Sequence, residues 1–329
     1  MRHSPLSGSR SRGRSRALTG LLGRTAAAGA LAGAGLTGYA LWEARQYTLR
    51  RVTVPALPAG ADPVRVLHLS DLHLVPTQER KLAWLSSLSL LRPDLVVNTG
   101  DNLAHADAVP PLLDALGPLL DVPGVFVLGS NDYFTPTLRN PLRYLLPDDG
   151  HRHTDVPPLP WPDLVAGFTR GGWLDLTNRF GTLEVAGVRL AFAGVDDPHL
   201  GYDRLADVAG PAPRDADLRV GVTHAPYLRV LDQYAADGYE LVLAGHTHGG
   251  QVRLPVPGGS RALTTNCDLE PARASGLHRH PAASRAGDPD SSWLHVSAGV
   301  GTSPYARIRV ACRPEATLLT LAPAEASVA

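Results

Sequence analysis

Two histidines one residue apart, His246 and His248, sit in the run Gly245-His246-Thr247-His248-Gly249-Gly250-Gln251, directly after the apolar stretch 240–244. Imidazole is the commonest neutral metal ligand, and the glycines let the backbone turn so that both rings can face one point. A lone His-x-His is as often a loop pair as a ligand pair. Four further apolar runs, however, end in comparable chemistry. Residues 64–69 lead into Ser70-Asp71-Leu72-His73, and 95–98 into Thr99-Gly100-Asp101-Asn102. Residues 124–128 lead into Gly129-Ser130-Asn131-Asp132, and 218–222 into Thr223-His224-Ala225-Pro226. Asp and Asn are ordinary turn formers one at a time. Five apolar strands that each finish in Asp, Asn or His beside a small residue are not explained that way, because open α/β sheets assemble their sites at strand carboxyl ends.

Carboxylates and imidazoles in this number suit a pair of divalent cations. Two such ions about 3.5–4 Å apart lower the pKa of a bridging water and clamp the oxygens of an in-line displacement at phosphorus. No Ser, Cys or His motif suggests a covalent phosphoenzyme. Cys267 and Cys312 are the only cysteines and lack metal-type spacing, so they read as buried or free thiols, with a single disulfide as the minor alternative.

The ordered set Asp71-x-His73, Gly100-Asp101-Asn102, Gly129-Ser130-Asn131-Asp132, His224 and Gly245-His246-Thr247-His248 resembles the calcineurin-like metallophosphoesterases over roughly residues 64–325. It is most similar to the bacterial membrane-associated branch that includes relatives of the UDP-diacylglucosamine pyrophosphatases. The resemblance implies a four-layer α/β/β/α sandwich with a two-metal site at one edge of the central sheets. It assigns Asp71, His73, Asp101 and His248 to one metal. Asp101 would bridge to a second metal held by His224, His246 and an amide from the Gly129–Asp132 loop. The two ions would be Mn, Fe or Zn, a hydroxide between them would attack phosphorus, and Asn131, Asp132 and His224 are the candidate catalytic groups.

One motif departs from the family pattern, which usually reads Gly-Asn-His-Asp or Gly-Asn-His-Glu, with Asn as metal ligand and His assisting at the phosphate. This chain reads Gly-Ser-Asn-Asp. Ungapped, Ser130 falls on the ligand position; a one-residue shift keeps Asn131 there. Asn131 is the better choice, because an amide oxygen is a stronger donor to a hard cation than a neutral hydroxyl. Either way the histidine is missing. Asp132, His105 and His199 are candidate substitutes, and Asp132 reads equally well as a helix N-cap. Without that imidazole, diphosphates and aryl esters should be favoured over alkyl esters.

Composition adds location and partners. The 329 residues, 44% hydrophobic, are enough for one large α/β core. Residues 1–51 hold nine arginines against Glu43 and so carry +8; because the whole chain is neutral, −8 falls on 52–329. An acidic catalytic region argues against a nucleic-acid groove, which would cluster Lys and Arg. Residues 1–24 form a basic leader, and the 18 residues 25–42 carry no charge, near the lower length limit of a membrane-spanning helix. Tyr39 and Trp42 suit an interface, and six arginines before the segment against three after it place the leader in the cytoplasm and the enzyme outside. This reads as an uncleaved single-pass anchor in the cell membrane. A cleaved signal peptide and a soluble Ala/Gly helix are the alternatives.

Residues 43–60 read as a linker, broken by Pro55 and Pro58, into a catalytic domain spanning 61–325. The proline-rich stretch Phe134–Pro162, with His151 and His153, follows the Gly-Ser-Asn-Asp loop and reads as a rim over the site. Asp196-Asp197 end another strand at the same edge. Pro271–Ser292 reads as a flexible surface excursion. The expected protein is a monomeric metal-dependent hydrolase of phosphate ester or diphosphate bonds, acting on phosphorylated small molecules or lipids beside a membrane. The alternative is a catalytically weak binding or scaffold protein that kept the sandwich.

Overall fold

Short β-branched runs alternate with amphipathic helices along this chain, and the result is two mixed sheets rather than one. The computed structural model describes residues 29–138, 150–152 and 154–324. The basic leader, the first residues of the expected anchor, Pro141, Pro147 and His153 lie outside them. A helix, α1 (29–43), leads into β1 (Thr48–Leu57), β2 (Val64–Leu69), α2 (Glu79–Ser87), β3 (Leu95–Asn98), α3 (Val109–Leu120) and β4 (Gly124–Phe126). After the single turn α4 (Ser130–Tyr133) come α5 (Trp161–Arg170), β5 (Leu174–Asp175), β6 (Arg179–Val185), β7 (Val188–Gly194), β8 (Leu218–Val222), α6 (Leu228–Asp237) and β9 (Leu241–Ala244). A hairpin, β10 (Arg253–Val256) and β11 (Gly259–Ala262), precedes β12 (Gly276–His280), β13 (Ser292–Val296) and β14 (Glu315–Pro323).

The first sheet runs β1-β14-β2-β3-β4-β5 and the second β12-β13-β9-β8-β7-β6. Alternation along each strand sends neighbouring side chains to opposite faces. Val66, Val97 and Val125 thus meet Leu190, Val220 and Leu243 in the core between the sheets. Leu67, Leu69 and Phe126 face outward onto Leu85, Leu112, Leu116 and Phe168 of α2, α3 and α5. On the far side, Val242, Leu294 and Val296 pack on Val230, Leu231 and Tyr234 of α6. Helices outside and two sheets inside give the α/β/β/α layering. Within the first sheet β2, β3 and β4 are parallel, as are β8 and β9 within the second, so the strand ends that carry the polar motifs share one edge.

Two expectations need correction. The segment read as a linker is largely β1, an edge strand paired in parallel with β14, with Val54 and Leu57 fully covered. Pro55 is tolerated there because an edge strand need not donate every N–H. The polar run from Pro271 is likewise ordered: β12 pairs antiparallel with β13, and His280 is buried with its ring 2.8 Å from Asp232. Cys267 and Cys312 are both free thiols.

The described part of α1 displays Leu31, Leu36, Tyr39, Leu41 and Trp42 to solvent. Among the described residues no helix is long and apolar enough to cross a membrane. The foot of α1 is nonetheless fixed to the domain: Arg309 N donates to Ala40 O at 3.1 Å, and Ala311 N donates to the buried Glu43 at 2.9 Å.

Candidate metal centre

Each strand end turns sharply before delivering its side chain. Asp71, His73, Asp101, His246 and His248 all adopt positive φ, between 42° and 68°, a region that non-glycine residues seldom occupy and that clusters at functional sites. Glycines make room around them. A Cβ on Gly129 would stand 2.4 Å from Asp101 Oδ1 and 2.7 Å from the His224 ring. One on Gly245 would meet Ser70 Oγ at 1.8 Å.

The structure brings seven sequence-expected residues to one place. His73 Nε2 lies 3.1 Å from His248 Nε2 and 3.4 Å from Asp101 Oδ2, and His248 Nε2 lies 3.6 Å from Asp71 Oδ1. On the other side of Asp101, His224 Nε2 is 3.6 Å from Oδ1 and 3.3 Å from His246 Nδ1. Asn131 closes the ring, its backbone N–H donating to Asp101 Oδ1 at 2.7 Å and its side-chain amide to Oδ2 at 2.8 Å. Ser130 lines the same cavity of about 110 Å³.

Three features fit this set to divalent cations. Asp71 with His73 and His248, and Asp71 with Asp101 and His224, form groups whose donor atoms all lie within 4.8 Å of one another. Asp71 Oδ1 is buried without a hydrogen-bond partner, which is costly unless something positive meets it. The outward nitrogens of two rings are committed to backbone carbonyls, His224 Nδ1 to Thr99 at 2.7 Å and His246 Nε2 to Asn266 at 3.1 Å. Those bonds fix the tautomer that leaves the inward nitrogen a lone pair.

Electrostatics agree. Burial pushes Asp71 up to about 6 and lowers His73 and His246 to about 4. Burial also raises Asp101, but the His224 and His73 rings and the Asn131 donors outweigh it and hold the carboxyl below its ordinary range. Burial works against charge on His224 too, yet Asp101, Asp197 and Asp71 raise it to about 9. The cluster is built to hold positive charge.

Four other candidates are not brought to the cavity. Asp132 is fully buried beneath the loop, accepting from the backbone N–H of Asp101 at 2.8 Å, Asn102 at 2.7 Å and Gly129 at 3.0 Å. It anchors the backbone that carries Asp101 and Asn131, so its expected catalytic role gives way to a capping one. Asp196 accepts from Tyr133 Oη at 2.9 Å, and the fully buried Asp197 accepts from His199 N at 2.8 Å. His105 is exposed and caps Asp107. His199 does face the cavity, as do His151 and Arg152 of the expected rim and Phe134, Thr135 and Pro136.

Sequence reasoning missed Arg152, Asn266 and Arg309. Arg309 is fully buried, with Nη1 donating to His248 O at 2.7 Å and Nη2 to Gly301 O at 2.7 Å and facing His248 Nδ1 at 3.3 Å. It fixes the position of the His248 turn. No local motif announces it, since the carbonyls it holds lie 8 to 61 residues away.

Comparison with known proteins agrees with this geometry. The family model of the calcineurin-like phosphoesterases matches residues 64–250, more than half of the chain. The chain is similar to the uncharacterized metallophosphoesterase YkuE of Bacillus subtilis, at 29% identity over 73% of this chain and 78% of that one. It is also similar to the UDP-2,3-diacylglucosamine pyrophosphatase LpxG of Chlamydia trachomatis, at 29% identity over 78% of this chain and 83% of the relative. Among solved structures, the 5'-nucleotidase precursor from Thermus thermophilus aligns with a TM-score of 0.40 and 13% identity, over 79% of this chain and 55% of that one. The chain belongs to the calcineurin-like phosphoesterase family and is a metallophosphoesterase, a hydrolase of phosphoester bonds.

Proposed function

We propose that this hydrolase uses two divalent cations, of Mn, Fe or Zn, to cleave phosphate ester or diphosphate bonds in lipid-linked or nucleotide-type substrates at a membrane surface. The observation that carries the reading is the position of Asp101. Its two carboxylate oxygens face His73 on one side and His224 on the other, with Asn131 against both. Asp71, His73, Asp101 and His248 would hold one ion, and Asp101, His224, His246 and Asn131 the other. Bound there, the cations supply Lewis acidity and activate water at neutral pH.

The remaining work falls to the cavity wall. Arg152 donates to Tyr227 Oη at 3.0 Å and to the His199 carbonyl, which fixes a guanidinium at the mouth for a phosphate oxygen or a second anionic group. The His199 ring lines the cavity, with Nδ1 3.2 Å from Tyr227 Oη, and is the imidazole we assign to protonation of the leaving oxygen. His199 thus takes the place of the imidazole that the Gly-Ser-Asn-Asp loop lacks.

The membrane part of this reading rests on composition and on α1. An uncharged run flanked by arginines, with Leu31 75% and Trp42 52% exposed, reads as an anchor that leaves the catalytic domain outside the cytoplasm. Protease added outside intact cells should then digest the domain, and an untouched domain would reverse the orientation.

Activity profiling with manganese tests the function. Lipid and nucleotide-sugar diphosphates should turn over at least tenfold faster than alkyl phosphomonoesters. The altered loop supports a second reading, a metal-binding scaffold. Metal-loaded protein that hydrolyses no phosphate ester or diphosphate would favour that reading.

A further inference from the structure

A second cavity, of about 360 Å³, lies where the foot of α1 meets the domain, behind the metal centre. Arg45, Arg80, Lys81 and Arg307 line it, with Glu79 the one carboxylate on its wall. None of the four cations forms an ion pair among the described residues, and Arg45 and Arg80 make no side-chain hydrogen bond there. Lys81 is the chain's only lysine and is 2% exposed. Its ammonium donates to Leu72 O at 2.6 Å and His73 O at 3.4 Å, which leaves one of its three protons without an acceptor among the described residues. Burial lowers Lys81 to about 7, so the standing charge of the cavity is that of Arg45, Arg80 and Arg307 against Glu79, and an anion would offset the surplus.

Leu41 forms part of the same wall, and the described part of α1 also exposes Leu31, Leu36, Tyr39 and Trp42. We propose that this cavity binds the phosphate head group of an anionic membrane phospholipid whose acyl chains lie along α1. The chemistry divides between the two parts: guanidinium groups recognise phosphate oxygens, while an apolar helix with Tyr and Trp at its foot matches the bilayer interface. The inference rests on the membrane reading of α1. The cavity also shares a wall with the metal centre, because Val300 N donates to Ser70 O at 3.0 Å and Gly301 N to Asp71 O at 2.6 Å. A bound head group would therefore hold the metal-centre edge of the domain at a defined height above the bilayer.

The test uses the full-length chain in a neutral detergent, with bound lipid counted by native mass spectrometry. Dioleoyl phosphatidylglycerol, dioleoyl phosphatidylcholine and inorganic phosphate are titrated separately. The wild type is expected to retain one phosphatidylglycerol at least tenfold more tightly than the Arg45→Ala/Arg80→Ala/Arg307→Ala variant, with the arginine leader unchanged in both. The corresponding triple lysine variant should recover most of that affinity, and hydrolysis of a soluble aryl ester should be the same in all three proteins. Equal retention by the wild type and the alanine variant would overturn the proposal, as would equal retention of phosphatidylcholine. Displacement of the lipid by inorganic phosphate at matching concentration would overturn the lipid assignment in favour of a free anion. Failure of the membrane reading shows separately, as release of the protein from membranes in fractionated cells.

Discussion

Asn131 holds Asp101 at both carboxylate oxygens, through its backbone N–H at 2.7 Å and its side-chain amide at 2.8 Å. Oxygen and nitrogen of an amide exchange places by a half-turn, so the same side chain can offer a cation its oxygen from that position. Asn131→Ala is expected to weaken manganese binding at least tenfold and to lower kcat about 100-fold. Ser130→Ala should change each less than about threefold, since a tenfold effect corresponds to only ~1.4 kcal/mol. Calorimetric metal titration of both variants decides which residue is the ligand, and the reverse ranking would assign the role to Ser130.

His199 is the imidazole outside the metal-ligand set whose ring nitrogen is fixed beside the cavity by Tyr227, at 3.2 Å. General acid assistance is worth about 10²–10⁴-fold and counts most for poor leaving groups. His199→Gln should therefore slow alkyl phosphodiesters by about 100-fold and p-nitrophenyl esters by less than tenfold. Equal losses on the two classes would make His199 a binding group and leave proton donation to solvent.

Asp132 accepts three backbone N–H groups below the loop. Its replacement by alanine leaves those donors without a partner, at a cost of about 1–3 kcal/mol each in the worst case. Asp132→Ala should lower the urea midpoint by about 2 kcal/mol of stability or more. The manganese-saturated folded fraction should keep over a third of its rate. A variant of unchanged stability with no turnover would return Asp132 to the chemistry.

Between the sheets, His68 Nδ1 and His295 Nδ1 lie 2.9 Å apart, both rings fully buried, with His68 Nε2 3.0 Å from Thr99 Oγ1. One Nδ1 must donate and the other accept, so the two rings cannot both be charged in the fold. Burial holds His68 down to about 3 and His295 well below the ordinary range. As these folded values lie below the unfolded value of about 6.5, the unfolded chain binds more protons in acid. The stability from neutral burial is complete above about pH 6.5 and is lost as pH falls toward 3. A His68→Leu/His295→Leu variant should lose this acid sensitivity, by up to ~1.4 kcal/mol per pH unit per ring. Urea unfolding at pH 7 and pH 4.5 measures it, and parallel slopes would mean that the rings are charged inside the fold.

What could be read in the chain followed from how local each signal is. Asp71, His73, Asp101, His224, His246 and His248 each sit within four residues of an apolar strand, so strand, turn and ligand appear in one window. Where partners are distant in sequence, the signal vanished. Thr48–Leu57 looked like a linker because its pairing partner is Glu315–Pro323 and its prolines suppress a strand pattern that only an edge position permits. Arg309 holds carbonyls 8 to 61 residues away, and His68 and His295 are 227 residues apart, so no single window of sequence contains either arrangement. Asp132 reads alike as an acid or as a cap from its place in the Gly-Ser-Asn-Asp loop; the three donors around it distinguish the two.

The central claim is that Asp101 serves both halves of a two-cation centre. The direct measurement is manganese bound per chain, by equilibrium dialysis with elemental analysis, in the wild type and in Asp101→Asn, with the rate on a diphosphate substrate recorded on the same samples. The account predicts two ions per wild-type chain, and one or fewer in Asp101→Asn together with a rate loss of at least 100-fold and an unchanged circular dichroism spectrum. Two tightly held ions in Asp101→Asn, with more than a tenth of the wild-type rate, would contradict it.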